Sequence, residues 1–170
     1  MIQGFLDVAR EHPYAAVLLS SMIPSFEARF SFLLGIELGL DPVDSFLASS
    51  LGAVILALTL ALIMGRVDST LRLFCVKNAG PRPLYRASCL YARLAESRAR
   101  RLERYTRTLG VLGLIVFVAI PLPGSGIYTG AIAALILGIK GYRLAISLII
   151  GGILSIMLVA MSAGIVKVLW

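Results

Sequence analysis

The chain has 170 residues, of which 59% are hydrophobic and only 15% charged, and its mean hydropathy is +0.93. That excludes an ordinary soluble domain and points to an all-α integral membrane protein, a single membrane domain over residues 1–170. The formal net charge of +7 is concentrated, with eleven basic and three acidic residues between Arg66 and Arg107 and five against six elsewhere, so the excess suits a loop facing anionic lipid and no nucleic-acid partner is expected.

Residues 2–12 fit a short interfacial helix, with His12 at the interface. A cleavable signal peptide is not expected there, because Asp7 interrupts the leader and no small-residue cleavage site follows. Two apolar arms come next, Tyr14–Ile23 and Phe30–Leu40, separated by the polar break Ile23-Pro24-Ser25-Phe26-Glu27-Ala28-Arg29. Each arm of about ten residues makes about 15 Å of helix, half of a hydrocarbon core about 30 Å thick. The pair therefore reads as a re-entrant hairpin that dips to mid-depth and returns; the same lengths also fit one long kinked span. Ser45–Met64 is long and apolar enough to cross.

The basic segment, residues 66–107, contains a turn at Asn78-Ala79-Gly80-Pro81-Arg82-Pro83. After it, Leu90, Leu94, Ala95, Leu102 and Tyr105 recur at near-helical spacing among arginines, which fits a basic amphipathic helix on the inner leaflet or a solvated loop. Cys75 and Cys89 lack CxxC spacing and a nearby His, so no metal site is expected, and in a cytoplasmic loop they would be reduced thiols.

The pattern then recurs. Leu109–Ile120 and Ile127–Ile139 flank the break Ile120-Pro121-Leu122-Pro123-Gly124-Ser125-Gly126, and Leu144–Val166 is a full span. Ile23-Pro24 matches Ile120-Pro121, and Gly52-Ala53 matches Gly151-Gly152. Repeat 1 covers about residues 1–65 and repeat 2 about 108–170. A hairpin returns the chain to its starting side and one span then crosses, so the second copy must be inverted relative to the first. Positive-inside weighting places the middle loop in the cytoplasm and both termini outside, in the plasma membrane.

Polar, helix-breaking sequence at membrane depth is tolerated only against protein or a water-filled cavity, and paired breaks are the best sequence pointer to a transporter's binding site. Glu27 and Arg29 are candidates because ionisable side chains at that depth each cost at least about 2.5–3.5 kcal/mol. Residues two apart do not face each other on a regular helix, so the first tip is expected to be irregular. Arg29 offers a planar donor fork for phosphate or carboxylate, and Glu27 a countercharge or a proton acceptor. A local ion pair that only holds the tip together is the competing reading. At the second tip, Gly124 and Gly126 permit close approach, Ser125, Tyr128 and Thr129 add hydroxyls, and the next half-helix turns its N–H groups towards the tip. That makes an anion cradle, unless Gly and Pro serve only the bend. Ser155, with Gly151, Gly152 and Ser162, reads as helix packing.

The motifs Pro24-x-x-Glu27-x-Arg29, followed by Gly35 and Gly39, and Pro121-x-Pro123-Gly124-Ser125-Gly126-x-Tyr128-Thr129-Gly130 resemble those of the small multi-drug export family, distant relatives of the DedA/VTT membrane proteins. The family often has Pro where Leu33 stands and Thr where Ser125 stands, and the DedA relatives usually carry an Arg in the second hairpin, which is uncharged here. The resemblance implies transport: small-molecule efflux from the family's name, and movement of lipid head groups such as polyprenyl phosphates from the relatives. An ion-coupled transporter or flippase of an amphiphilic anion is the leading expectation. A drug exporter, an uncoupled scramblase and a membrane organiser are the alternatives. No enzyme constellation and no cofactor are indicated. The expected partners are bilayer lipid, anionic lipid at the basic loop, and a second copy in a homodimer.

Overall fold

A computed structural model describes residues 9, 11–24, 27–77, 89–90, 106–121, 125–162 and 164. Every regular element among them is helical: α1 (Pro13–Ser20), α2 (Glu27–Glu37), α3 (Pro42–Lys77), α4 (Thr106–Ala119), α5 (Ile127–Leu137) and α6 (Tyr142–Ser162). The expected turn and amphipathic helix of the basic segment, and most of residues 2–12, lie outside the described residues.

Local chemistry sets the boundaries. α1 starts on Pro13, whose fixed φ and missing N–H suit a first helical turn. α2 and α5 end alike. Gly39 and Gly138 take left-handed φ of 86° and 73°. The N–H groups of Gly39 and Leu40 bond the carbonyls of Ile36 and Gly35, and those of Gly138 and Ile139 bond Leu135 and Ala134. This is the Schellman arrangement, which satisfies carbonyls that a helix end would leave bare.

Among the described residues, two stretches are long and apolar enough to cross a bilayer, Pro42–Leu71 and Tyr142–Ser162. α6, with 21 residues, is about 32 Å long, close to one hydrocarbon thickness. α3 continues past the expected end at Met64 to Lys77. No Pro interrupts Met64–Lys77 and Gly65 alone is tolerated, so Arg66, Asp68 and Arg72 extend the helix instead of ending it. Asp68 is buried there and pairs with Lys140 from the α5–α6 turn. At the end of α3, Cys75 and Cys89 are joined by a disulfide with Cα atoms 4.9 Å apart. This corrects the expectation of two reduced thiols, because spacing in sequence does not fix which residues meet in space.

The short pair α1 and α2 packs on α3, and the short pair α4 and α5 packs on α6; α3 packs on α6, α2 also reaches α6, and α5 reaches α3. Phe32, Ala53, Ala57, Leu114, Val118, Leu144, Leu148 and Ile156 form the shared interior. Small residues let backbones approach. A Cβ on Gly52 would lie 1.7 Å from Ser21 Oγ and 3.0 Å from the Leu18 carbonyl, and one on Gly151 would lie 2.7 Å from Val118 Cβ and 3.0 Å from the Ile115 carbonyl. The outer surface is apolar, with Leu47, Leu51, Leu58 and Leu62 of α3, Leu109, Leu112 and Val116 of α4, and Ile146, Ile150, Met157 and Met161 of α6 exposed. A surface of this extent is stable only in lipid or under another apolar partner.

Candidate functional site

The two breaks meet inside this bundle. Glu27 opens α2 in a left-handed conformation, φ 48°, the one non-glycine residue with positive φ among those described. Its N–H bonds the Ile23 carbonyl at 2.9 Å, closing the break. Such a conformation at a non-glycine residue costs about 1–3 kcal/mol and tends to occur at functional sites. It also reconciles the spacing. With the backbone turned at Glu27, the side chain swings back and Oε2 accepts a hydrogen bond from Arg29 Nη2 at 2.9 Å. This corrects the expectation of a non-helical tip: Glu27 and Arg29 both lie in the first turn of α2, only the φ of Glu27 departs from helix, and Arg29 pairs with Glu27 instead of standing apart from it. Both are largely withdrawn from the surface, with Arg29 8% exposed.

The Glu27 carboxylate also touches the second tip. A Cβ on Gly126 would lie 1.5 Å from Glu27 Oε1. Gly126 is the N-cap of α5 and supplies no side-chain cap. The carboxylate therefore lies against the first residues of α5, the end at which a helix dipole favours an anion. The second tip grips the first from the other side, as the Tyr128 hydroxyl donates to the Met22 carbonyl.

The remaining predicted residues divide. Ser125 Oγ donates to the Ile120 carbonyl at 2.5 Å and Thr129 Oγ1 to the Gly126 carbonyl at 3.0 Å. These two hydroxyls serve the backbone of their own tip. Pro24 and Pro121 stand exposed at the edges of the breaks. Pro123 and Gly124 lie outside the described residues. Among the described residues, no cluster of three His, Cys, Asp or Glu side chains could hold a metal ion.

Beside the ion pair lies a small cavity, with about 10 Å³ open to the centre of a water molecule, lined by Glu27, Arg29, Val118, Ile127, Gly152 and Ser155. That is about the least space one water requires. Val118, Gly152 and Ser155 were not legible as site residues, because on the sequence they look like any small or apolar positions in a packed helix. Of these three, Ser155 carries a distinguishing property: its hydroxyl, like that of Ser50 away from the cavity, is buried without a hydrogen-bond partner.

A helical bundle with two spans, an apolar outer surface and a buried acid–base pair at broken helices defines an integral membrane protein. Residues 27–158 match the family described as "Putative small multi-drug export protein". That is most of the chain, from the acid of the first tip nearly to the end of α6, and the protein belongs to the small multi-drug export family. Comparison with curated proteins and with solved structures finds no match.

Proposed function

We propose that the chain is a transporter or flippase, not an enzyme, that moves an amphiphilic anion or lipid head group through a mid-membrane site between two re-entrant hairpins. One observation carries this reading: the Glu27 carboxylate lies both on Arg29 and at the start of α5. It fills the place an incoming anion would take. Protonating Glu27 would weaken its pairing with Arg29 and remove a negative charge from the start of α5, which would couple anion entry to proton uptake. A polyprenyl phosphate has the required chemistry, a charged head that would take the place of the Glu27 carboxylate and a tail that stays in lipid.

Internal correspondence supports the inverted-repeat reading. Leu18 and Ser21 stand 97 positions before Ile115 and Val118, and they meet Gly52 and Gly151 in the same way. The caps of α2 and α5 correspond at a constant step of 99. By that step Glu27 corresponds to Gly126, so equivalent residues of the two tips touch one another. Alternating access would then rock one half against the other around this contact. The basic excess between Arg66 and Arg107 favours a cytoplasmic middle loop in the plasma membrane. A homodimer would cover part of the exposed apolar surface.

The family description favours a second reading, export of small drugs, in which Glu27 would bind a cationic substrate. Proteoliposomes separate the two. Uptake of a fluorescent isoprenyl phosphate that grows with an imposed proton gradient supports the anion reading. Uptake of a cationic dye, with none of the isoprenyl phosphate, overturns it in favour of drug export.

A further inference from the structure

Serines in membrane helices usually return their hydroxyl to a carbonyl one turn back. Ser49 does so to Phe46, Ser147 to Arg143 and Ser162 to Val159. Ser155 does not. It is 2% exposed and its Oγ has no partner, yet it borders the cavity that Glu27 and Arg29 also line. Gly152, one turn earlier on α6, contributes no side chain, and Ile127 on the facing wall is the first residue of α5. Arg29, the first residue of α5 and Ser155 therefore line one space. A buried hydroxyl left unpaired destabilises the fold, so its position calls for an occupant that restores the bond.

We infer that Ser155 is a ligand-binding residue of the tip site, its hydroxyl holding one oxygen of a phosphoryl group whose charge Arg29 meets. This rests on the anion reading above. The cavity fits one oxygen and not a whole head group, so the rest of the phosphoryl group takes the room that the Glu27 carboxylate now fills beside Gly126. The phosphate could come from a lipid head group or be free in solution. The hydroxyl serves either, and the choice of probe tells them apart.

The test is calorimetric titration of the purified protein in lipid nanodiscs with farnesyl phosphate and, separately, inorganic phosphate. Ser155→Ala should weaken binding at least fivefold, Ser155→Val at least as much, and Ser155→Thr no more than twofold, since Thr keeps the hydroxyl. Ser155→Ala should also melt no lower than the parent, because it removes an unsatisfied group; a hydroxyl that served the fold would lower the melting temperature. The Ser155→Ala loss with farnesyl phosphate alone supports a lipid head group, and the loss with both probes supports phosphate as such. Unchanged affinity in Ser155→Ala and Ser155→Val, with Arg29→Ala failing to bind, overturns the role of Ser155, leaves the transport site standing and assigns the cavity to water only. Binding that survives Arg29→Ala, or no binding of either probe by the parent, overturns the site and this inference together.

Discussion

The Glu27 carboxylate occupies the space that a side chain at residue 126 would need, with Oε1 1.5 Å and Cδ 2.0 Å from the position of a Cβ on Gly126. This one contact joins the two tips. The obstructing atoms are the end of a flexible side chain, so Gly126→Ala should displace the carboxylate and leave the bundle intact. The variant is expected to elute from size exclusion as the parent does, while transport falls at least tenfold. Loss of the folded species would show that the contact is structural.

Glycines packed against rigid atoms should behave differently. A Cβ on Gly151 would meet Val118 Cβ at 2.7 Å and the Ile115 carbonyl at 3.0 Å, and neither can swing away. Overpacking of this kind costs about 1–3 kcal/mol. Gly151→Ala and Gly52→Ala should each lower the melting temperature in mild detergent by several degrees. Gly39→Ala is a separate case, strained by its φ of 86° with open space around it.

Tyr128 ties α5 to the end of α1 through the Met22 carbonyl. Tyr128→Phe keeps the ring and loses the hydroxyl. A net hydrogen bond of this type contributes about 0.5–1.5 kcal/mol. The expected result is a modest loss of thermal stability together with a changed transport rate, measured on the same preparation. A stability loss with unchanged flux would make the contact a fastening only.

Much of this arrangement was legible in the sequence. The helical arms and both breaks could be read because Pro24 and Pro121 each impose a local backbone requirement, whereas the glycine caps at Gly39 and Gly138 were not anticipated. Glu27 and Arg29 stood out because charge is rare within apolar arms. The unexpected features depend on distance in space. Asp68 meets Lys140 across 72 positions. The proximity of Cys75 to Cys89 and the unpaired hydroxyl of Ser155 have no local signature.

The cysteine pair also tests topology. Positive charge favours a cytoplasmic loop, where glutathione opposes disulfides, whereas the structure joins Cys75 to Cys89. Membrane vesicles of both orientations should be treated with an impermeant phosphine and then an impermeant maleimide. Labelling is expected in inside-out vesicles only. Labelling in right-side-out vesicles would move the loop to the oxidising side and reverse the proposed orientation.

The most direct test of the tips as the transport site is the flux of a labelled isoprenyl phosphate into proteoliposomes carrying Glu27→Gln, Arg29→Ala or both. Each single change should reduce flux at least tenfold, and the double change should be no worse than Arg29→Ala, because the two side chains act as a pair. Flux at the parent level in the double variant would contradict the account.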